Sequence, residues 1–450
     1  MSAGGPRKLS LFDATMLVMG SILGVGIFFN PSQVAGLIPN TPLYMGAWAL
    51  GCLVALCGAF TFAEFAASYP KAGGWFVYLR EIYGRPVAFL LAWVVLLVIS
   101  TGALAVMCGF GASMIAEVLA NAEGTSPVGD PRSTSHTLVA GAIIVGLTLV
   151  ALGGVKTGAT IQNACMLIKL GLVLALIFAG LLLFAPLTPL PEVAPVVTER
   201  PLWQGFTLAM LPVFFSCGGW PLVAYVTSEV KDPQRNVPRA LLFGVGGVML
   251  LYLLLNAAYL NVVGMDHLAQ NPLFVGEMVQ RSFGGVGSKF VSAGMAVSAL
   301  GVCTVTVVTT PWLYVAMARE GLFFESFARL HGRTGAPSLG LALQCALALG
   351  YLLFTNTEFL VDAAVFVEWI FHVLLAFGLL WIRHKHPELP RPFRSFAYPL
   401  LPVIYALFAV FLVAGVLWQA EAAKTKTGLG VILAGMVVYL SWRRFVARAT

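Results

Sequence analysis

Charge is what this sequence has least of. Asp, Glu, Lys and Arg make up 10% of its 450 residues, against about 25% in a soluble globular domain. Apolar residues make up 59%, and the mean hydropathy is +0.90. Such a surface cannot have water as its main solvent, which leaves the lipid bilayer. The net charge of +7 would suit nucleic acid only if it were gathered into a patch. The basic residues instead sit in short segments between apolar runs, a pattern that sets membrane orientation. No nucleic-acid partner is expected. The seven cysteines, Cys52, Cys57, Cys108, Cys165, Cys217, Cys303 and Cys345, all lie in apolar runs. Apart from the loose pair Cys52 and Cys57 they lack metal-ligand spacing, so they imply neither a metal site nor a disulfide framework. Also missing are the HExxH, GxSxG, P-loop and selectivity-filter sequences. An enzyme, an ATP-driven step, a channel or a bound cofactor is therefore not expected. Arg7 and Lys8 precede a long apolar run, but no small-residue cleavage site follows. That run is expected to stay as a helix rather than leave as a signal peptide.

What the chain does have is apolar runs of bilayer length, which needs about 20 residues. Twelve are predicted: Phe12–Leu37, Leu43–Phe65, Pro86–Leu119, His136–Gly153, Ile161–Phe184, Trp203–Val230, Arg239–Val263, Gly285–Ala318, Pro337–Leu353, Phe359–Ile382, Ala397–Trp418 and Gly428–Trp442. The runs do not alternate, which excludes barrel strands and leaves helices. With the N-terminus inside, 19 of the 26 Lys and Arg fall on the inner side, 6 fall outside, and Lys169 lies within a span. That asymmetry predicts that both termini are cytoplasmic, in a cell membrane. The stretches Asn121–Ser135 and Pro186–Pro201 read as outer loops, and no soluble domain is appended.

Two spans carry helix breakers at mid-length. The first contains GSILGVGIFFNP, with Gly20, Gly24, Gly26 and Pro31. The sixth contains LPVFFSCGGWP, with Pro212, Gly218, Gly219 and Pro221. Either cluster alone also fits close helix packing. Together they are the first and sixth helices of ten, and a second set of five helices lies inverted to the first. Interrupted helices at equivalent places of inverted repeats point to a transporter binding site. The half-helix starting near Gly24, Val25 and Gly26 would aim free N–H groups and a positive dipole end at the midplane, which suits a carboxylate. Free carbonyls near Ser21, Ile22 and Phe214–Ser216 suit an ammonium group. One anion site beside one cation site describes the backbone of an α-amino acid.

Long motifs in order carry a resemblance over Leu11 to Arg394. They are GSILGVGIF, FAEFAASYPKAGGWFVYLREIYG, FSCGGW, TSEVKDPQRNVPRAL, VAMAREGLFFESFARLHGRTGAP and WIRHKHPELPRPF. The sequence resembles the amino acid–polyamine–organocation transporters, and among them the L-type amino acid transporter branch. The resemblance implies an all-helical membrane fold of twelve helices. It divides into a first five-helix repeat over 12–185, a second, inverted repeat over 203–382, and two additional helices over 397–442. It implies alternating access with helices one and six broken. By position, Gly24, Val25 and Gly26 would bind the substrate carboxylate through backbone N–H groups. The carbonyls of Ile22, Phe215 and Gly218 would receive its amino group. Phe215 would be an aromatic gate, and Trp369 would line the side-chain pocket, with Ser216 and Cys217 beside it. L-type members often have Ser where Val25 stands. Animal light chains of this branch carry a cysteine after helix three for a heavy-subunit disulfide. The segment from Ala120 to Ser135 has none, so no disulfide-linked heavy subunit is expected, and a bacterial, self-sufficient transporter is.

A few charges fall inside spans. Lys169, about nine residues into helix five, is costly at that depth. Burial disfavours its protonated form, which makes it a candidate proton carrier. The resemblance implies that it stands where sodium-coupled relatives hold sodium, linking helix five to the break in helix one and to Ser298, Thr304 and Thr306 of helix eight. A snorkelling lysine or a permanently charged structural one are the alternatives. In helix ten, Asp362 is expected to be solvated. Glu368 either faces the pocket or pairs with His372, one turn on. Glu64 and Glu229 end helices two and six on the inner side. There they either pair with Lys71, Arg80, Lys231 or Arg235 as gates or are ordinary interfacial charges. Phe215, Cys217 and Trp369 point to a mostly apolar pocket, hence to neutral amino acids by exchange or proton-coupled uptake. A cationic amino acid or polyamine transporter of the same fold is the alternative within the class. A membrane amino acid sensor with little transport is the alternative outside it.

Overall fold

The computed structural model describes residues 7–120, 133–183, 194, 196, 200–272, 274–283, 286–354, 357–419 and 422–449. The first run is two helices, α1 (Leu11–Ile22) and α2 (Gly26–Leu37). A reciprocal capping box starts α1: Asp13 N–H donates to Ser10 Oγ at 3.2 Å, and Ser10 N–H donates to the Asp13 carboxylate at 2.8 Å. Next come α3 (Thr41–Ser68), capped by Asn40, then α4 (Trp75–Tyr83) and α5 (Arg85–Val94). A π-helical turn, Val95–Ile99, joins α5 to α6 (Ser100–Leu119) without a break. Its signature is the Ser100 N–H donating five residues back to the Val95 carbonyl. The chain continues through α7 (Thr134–Leu152), α8 (Val155–Phe178) and α9 (Leu202–Cys217). A 3-10 segment, Trp220–Glu229, completes the sixth run.

The second half holds α10 (Pro233–Val263), α11 (Met265–Gln270), α12 (Phe274–Phe283), α13 (Val286–Thr309) and α14 (Pro311–Arg319). It ends with α15 (Ser338–Phe354), α16 (Thr357–Lys385), α17 (Leu400–Gln419) and α18 (Ala422–Ala449). Among the described residues there is no strand, only an isolated parallel bridge between Leu9 and Val230. Nine helical runs among them are long and apolar enough to cross a bilayer. Two shorter apolar helices span Ser338–Leu353 and Leu400–Gly415, and the predicted run Gly428–Trp442 lies within α18.

The breaks are narrower than the glycine and proline clusters suggested. Gly20, Pro31 and Pro212 lie inside continuous helices. The helix ends fall at Leu23–Val25 and at Gly218–Gly219, and Pro221 sits in the first turn of the 3-10 segment. Neighbouring membrane helices re-satisfy the carbonyl that a proline frees, so a proline alone need not break a span.

In lipid there is no hydrophobic drive between helices, so they associate through close packing at small residues. Gly158 of α8 lies against Val308 of α13, where an added Cβ would sit 2.2 Å away. Gly244 of α10 admits Val18 of α1 in the same way, at 2.6 Å. These contacts draw α1, α8, α10 and α13 around the two breaks. The α3–α10 and α6–α13 pairs are the most extensive contacts in the molecule.

Candidate functional site

The two breaks meet. At the end of α1 the Leu23 N–H closes on the Met19 carbonyl at 2.8 Å, and Gly24 N–H folds back to Ile22 O at 2.7 Å. The chain then restarts as α2 at Gly26. Across from it α9 stops at Cys217, and Gly219 takes a left-handed φ of +90°. A Cβ on Gly219 would lie 2.4 Å from the Ser21 carbonyl oxygen, and one on Gly26 would lie 2.9 Å from Ser216 Oγ. Glycine at these two positions lets the half-helices approach.

Between them is a cavity of about 180 Å³, sized for a small solute rather than a drug-like ligand. Both breaks line it, together with Ser100 after the π turn, Thr306 of α13, and Glu368, Trp369 and His372 of α16. Behind His372 of its wall packs an aromatic cluster. Phe62 stands edge-on to Trp220 at 4.8 Å and to Trp75 at 5.3 Å, and Trp75 packs on His372 at 4.7 Å.

Ile22, Gly24, Val25, Gly26, Phe215, Ser216, Gly218 and Trp369 all line this cavity. Cys217 does not. It is 2% exposed and packs against α3, where a Cβ on Gly51 would lie 3.7 Å from its Sγ. Neighbouring helix positions point about 100° apart, so a residue between two pocket residues turns its side chain into the packing behind them. The polar groups also differ in detail. The Ile22 carbonyl, expected to receive an amino group, already accepts from Gly24 N–H and from Tyr252 Oη at 2.8 Å. Gly24 N–H is spent in the same contact. The backbone N–H groups left at the mouth of α2 are those of Val25 and Gly26, which a helix start cannot satisfy internally. Ser216 Oγ donates to Pro212 O at 2.9 Å and accepts from Asn30 Nδ2 at 2.7 Å. Asn30 and Tyr252 bind the breaks from α2 and α10, and sequence reasoning passed over both. Their one signal is a polar group at mid-span.

Lys169 is buried at 1% exposure and reaches the first break directly. Its Nζ donates to Leu23 O at 2.8 Å and to Gly20 O at 3.2 Å. It does not snorkel. Of the three expected partners on α13, Ser298 joins through the shared Leu23 carbonyl at 3.4 Å. Thr304 and Thr306 instead donate to their own helix, to Leu300 O and Val302 O at 2.7 and 3.1 Å. A hydroxyl in a water-poor interior is readily satisfied by the carbonyl one turn back. What lets the lysine in is Gly301, where a Cβ would sit 2.6 Å from Lys169 Cε.

The acids fall out differently. Glu368 faces the cavity and also pairs with His372, whose Nε2 lies 3.8 Å from its carboxylate. The Nδ1 of His372 is bound by the Tyr405 hydroxyl. The side chain of Asp362 lies outside the described residues. Glu64, 1% exposed, does not pair with Lys71, Arg80, Lys231 or Arg235. Its carboxylate holds Arg383 Nε at 2.7 Å, Arg391 Nε at 3.5 Å and the Ser395 N–H at 2.7 Å. Arg383 is in the last turn of α16, and Arg391 and Ser395 are in the segment that follows it, a long-range choice that no local spacing encodes. Arg80 pairs instead with Glu81 and Glu320. Burial alone would pull its guanidinium down, yet the two carboxylates outweigh that and hold it above its ordinary value. Glu229 acts through its backbone carbonyl, which takes the Lys8 and Leu9 N–H groups at 2.9 Å each.

Apolar helices of membrane length around a solute-sized cavity at two helix ends belong to a multi-pass transmembrane transporter rather than an enzyme. The chain matches the family described as "Amino acid permease" over residues 9–441, and it belongs to that family of the amino acid–polyamine–organocation superfamily. It is 27% identical to the serine/threonine exchanger of Bacillus subtilis, with 98% of each chain covered. It is 28% identical to the human large neutral amino acids transporter small subunit 2, over 96% of this chain and 80% of that one. It is also 28% identical to the mouse Asc-type amino acid transporter 1, over 97% and 82%. The likeness is to the L-type branch. The segment from Ala120 to Ser135, where a heavy-subunit cysteine was sought, lies mostly outside the described residues.

Proposed function

We propose that this permease moves neutral L-amino acids across a cell membrane by alternating access, through exchange or proton-coupled uptake. One observation carries this most. The Val25 and Gly26 N–H groups and the carbonyl end of α9 border a single cavity whose remaining wall is largely apolar. A substrate carboxylate would sit on those N–H groups, at the positive end of α2. Its ammonium group would face the Phe215 and Gly218 carbonyls. Phe215, 40% exposed, would close over it, and Trp369 would meet the side chain. The serine and threonine, and the large neutral amino acids, named for two of the relatives support a neutral amino acid substrate.

Twelve spans are proposed, in repeats over 12–185 and 203–382 plus two helices over 397–442, with both termini cytoplasmic. The packing supports the repeat. The first run packs on the sixth (α2 on α9), the second on the seventh (α3 on α10), the third on the eighth (α6 on α13) and the fourth on the ninth (α7 on α15). Each of these four runs thus meets its counterpart five places on. The aromatic cluster packed behind His372 supports a pocket sealed on one side at a time. Lys169, bonded to the break itself, is the group placed to couple a charge to its movement, and no disulfide-linked heavy subunit is required.

Uptake of labelled Leu, Met, Ala and Ser into proteoliposomes tests the proposal, with and without internal amino acid and with and without a proton gradient. Saturable uptake inhibited by unlabelled neutral amino acids is expected. Glu368 in the cavity wall favours the second reading, a cationic side chain, and competition by Arg, Lys or polyamines alone would establish it instead.

A further inference from the structure

Gln162 is the least explained polar residue among those described. It lies on α8 two helical turns before Lys169, at 0% exposure. Neither its Nε2 nor its Oε1 has a hydrogen-bond partner among the described protein groups. Buried amides are nearly always hydrogen-bonded, and one unmatched at both ends marks a place where something else binds. The amide packs against Gly20 of α1, where an added Cβ would come within 1.6 Å of Nε2. At Gly301 of α13 a Cβ would lie 2.8 Å from Lys169 Nζ and 3.3 Å from Gln162 Oε1. The lysine and the amide therefore converge over one glycine. Lys169 spends two of its three donors on Gly20 O and Leu23 O, and an ammonium group has a third to place.

The polar line continues along α8 toward the end that carries the N-terminus. Asn163, next to Gln162, donates to Asp13 Oδ1 at 2.8 Å, and its own Oδ1 is unpartnered. Asp13 is bound in turn by Lys156 Nζ at 2.7 Å, and Lys156 is 49% exposed. We propose that Gln162 holds a buried water against Lys169, between α1, α8 and α13, as the first station of a proton route to the N-terminal face that bypasses the substrate cavity. Ligand and cargo are water and a proton. A metal cation beside the ammonium group would be repelled. The titratable groups facing Lys169 are the thiols of Cys165 on α8 and Cys303 on α13. α1 presents carbonyls at this level, and the carboxylate on the route is Asp13.

The proposal rests on Lys169 being the coupling group, so the first test does not depend on transport. A cryo-EM map of the full chain in lipid nanodiscs, at a resolution that shows ordered water, is expected to have solvent density bridging Gln162 Oε1 and Lys169 Nζ. An amide bonded directly to protein groups, with no density between, overturns the site. The second test is the pH profile of proteoliposome exchange in two variants. Gln162→Leu removes the water's acceptor and destabilises the ammonium form, so the midpoint is expected to fall by roughly one pH unit. Gln162→Glu places a negative charge there, and the midpoint is expected to rise by about as much. A structural role would lower the rate of both without moving the midpoints apart, and that result overturns the proposal. Bridging density in a protein that moves no amino acid would leave the water site standing and the substrate assignment refuted.

Discussion

Replacing Gly219 by alanine adds one methyl group at the point where the two helix breaks cross. Two costs can be read from the geometry. At φ +90° an L-residue pays about 1–2 kcal/mol for its Cβ. The new Cβ would also stand 2.4 Å from Ser21 O and 2.9 Å from Ser21 C. Both are backbone atoms that cannot rotate away, so the break in α1 must retreat by about 1 Å to reach ordinary contact, and overpacking of this kind costs about 1–3 kcal/mol. Together the penalty is about 2–5 kcal/mol, at a place where 1.4 kcal/mol is a factor of about ten in any equilibrium. Substrate affinity is expected to drop at least tenfold, and the melting midpoint in detergent to fall. Gly46→Ala serves as the control: an exposed helical glycine of α3 with nothing within 4 Å of its added Cβ, expected to be neutral or stabilising by about 0.5–1 kcal/mol. The two assays are thermal unfolding of the purified proteins and substrate titration of exchange in liposomes. If Gly219→Ala tracks Gly46→Ala in both, the crossing of the breaks is not what positions the site.

Lys169→Ala leaves the Gly20 and Leu23 carbonyls without their donor. It is expected to impair flux while the protein stays monodisperse by size exclusion, and normal flux with unchanged pH dependence would remove Lys169 from the mechanism. Tyr252→Phe deletes one hydroxyl, held at 2.8 Å to Ile22 O, for a net cost of about 0.5–1.5 kcal/mol. Exchange should slow with little change in unfolding temperature, and an unaltered rate would place the Tyr252 bond outside the working cycle. Glu64→Gln leaves Arg383 and Arg391 without their buried counter-charge. A loss of about 3–5 kcal/mol is expected, seen as lower thermal stability, and a stable variant would show that these guanidiniums find water instead.

The helical membrane class, the breaks and most of the cavity wall were legible because their signals are local. Apolar length marks a span, and Gly24, Gly218 and Gly219 mark helix ends wherever they are packed. Residues defined by rotation were harder. Cys217 and Ser216 are neighbours in sequence, yet one faces Gly51 of α3 and the other Asn30, and only the packed helix decides which. Partners defined by tertiary folding were not legible at all. Glu64 lies 319 residues from Arg383, and nearer basic residues offered themselves first. Gln162 and Tyr252 read as isolated polar residues in apolar runs, and their role depends on which glycine or carbonyl the neighbouring helix brings opposite.

The π turn at Val95–Ile99 works like a shift of reading frame inside a helix. It accommodates one residue more than an α-helix would, so everything from Ser100 onward is rotated by about 100° relative to what precedes it. That rotation aims Ser100 at the cavity and at Thr310, which it meets at 3.1 Å. Deleting one residue from this turn would restore regular α geometry and swing a different set of side chains inward, with every letter of α6 unchanged. Part of the cavity wall is thus written in the number of residues before it, and two relatives with near-identical wall sequences but one residue's difference here would present different walls to what they carry.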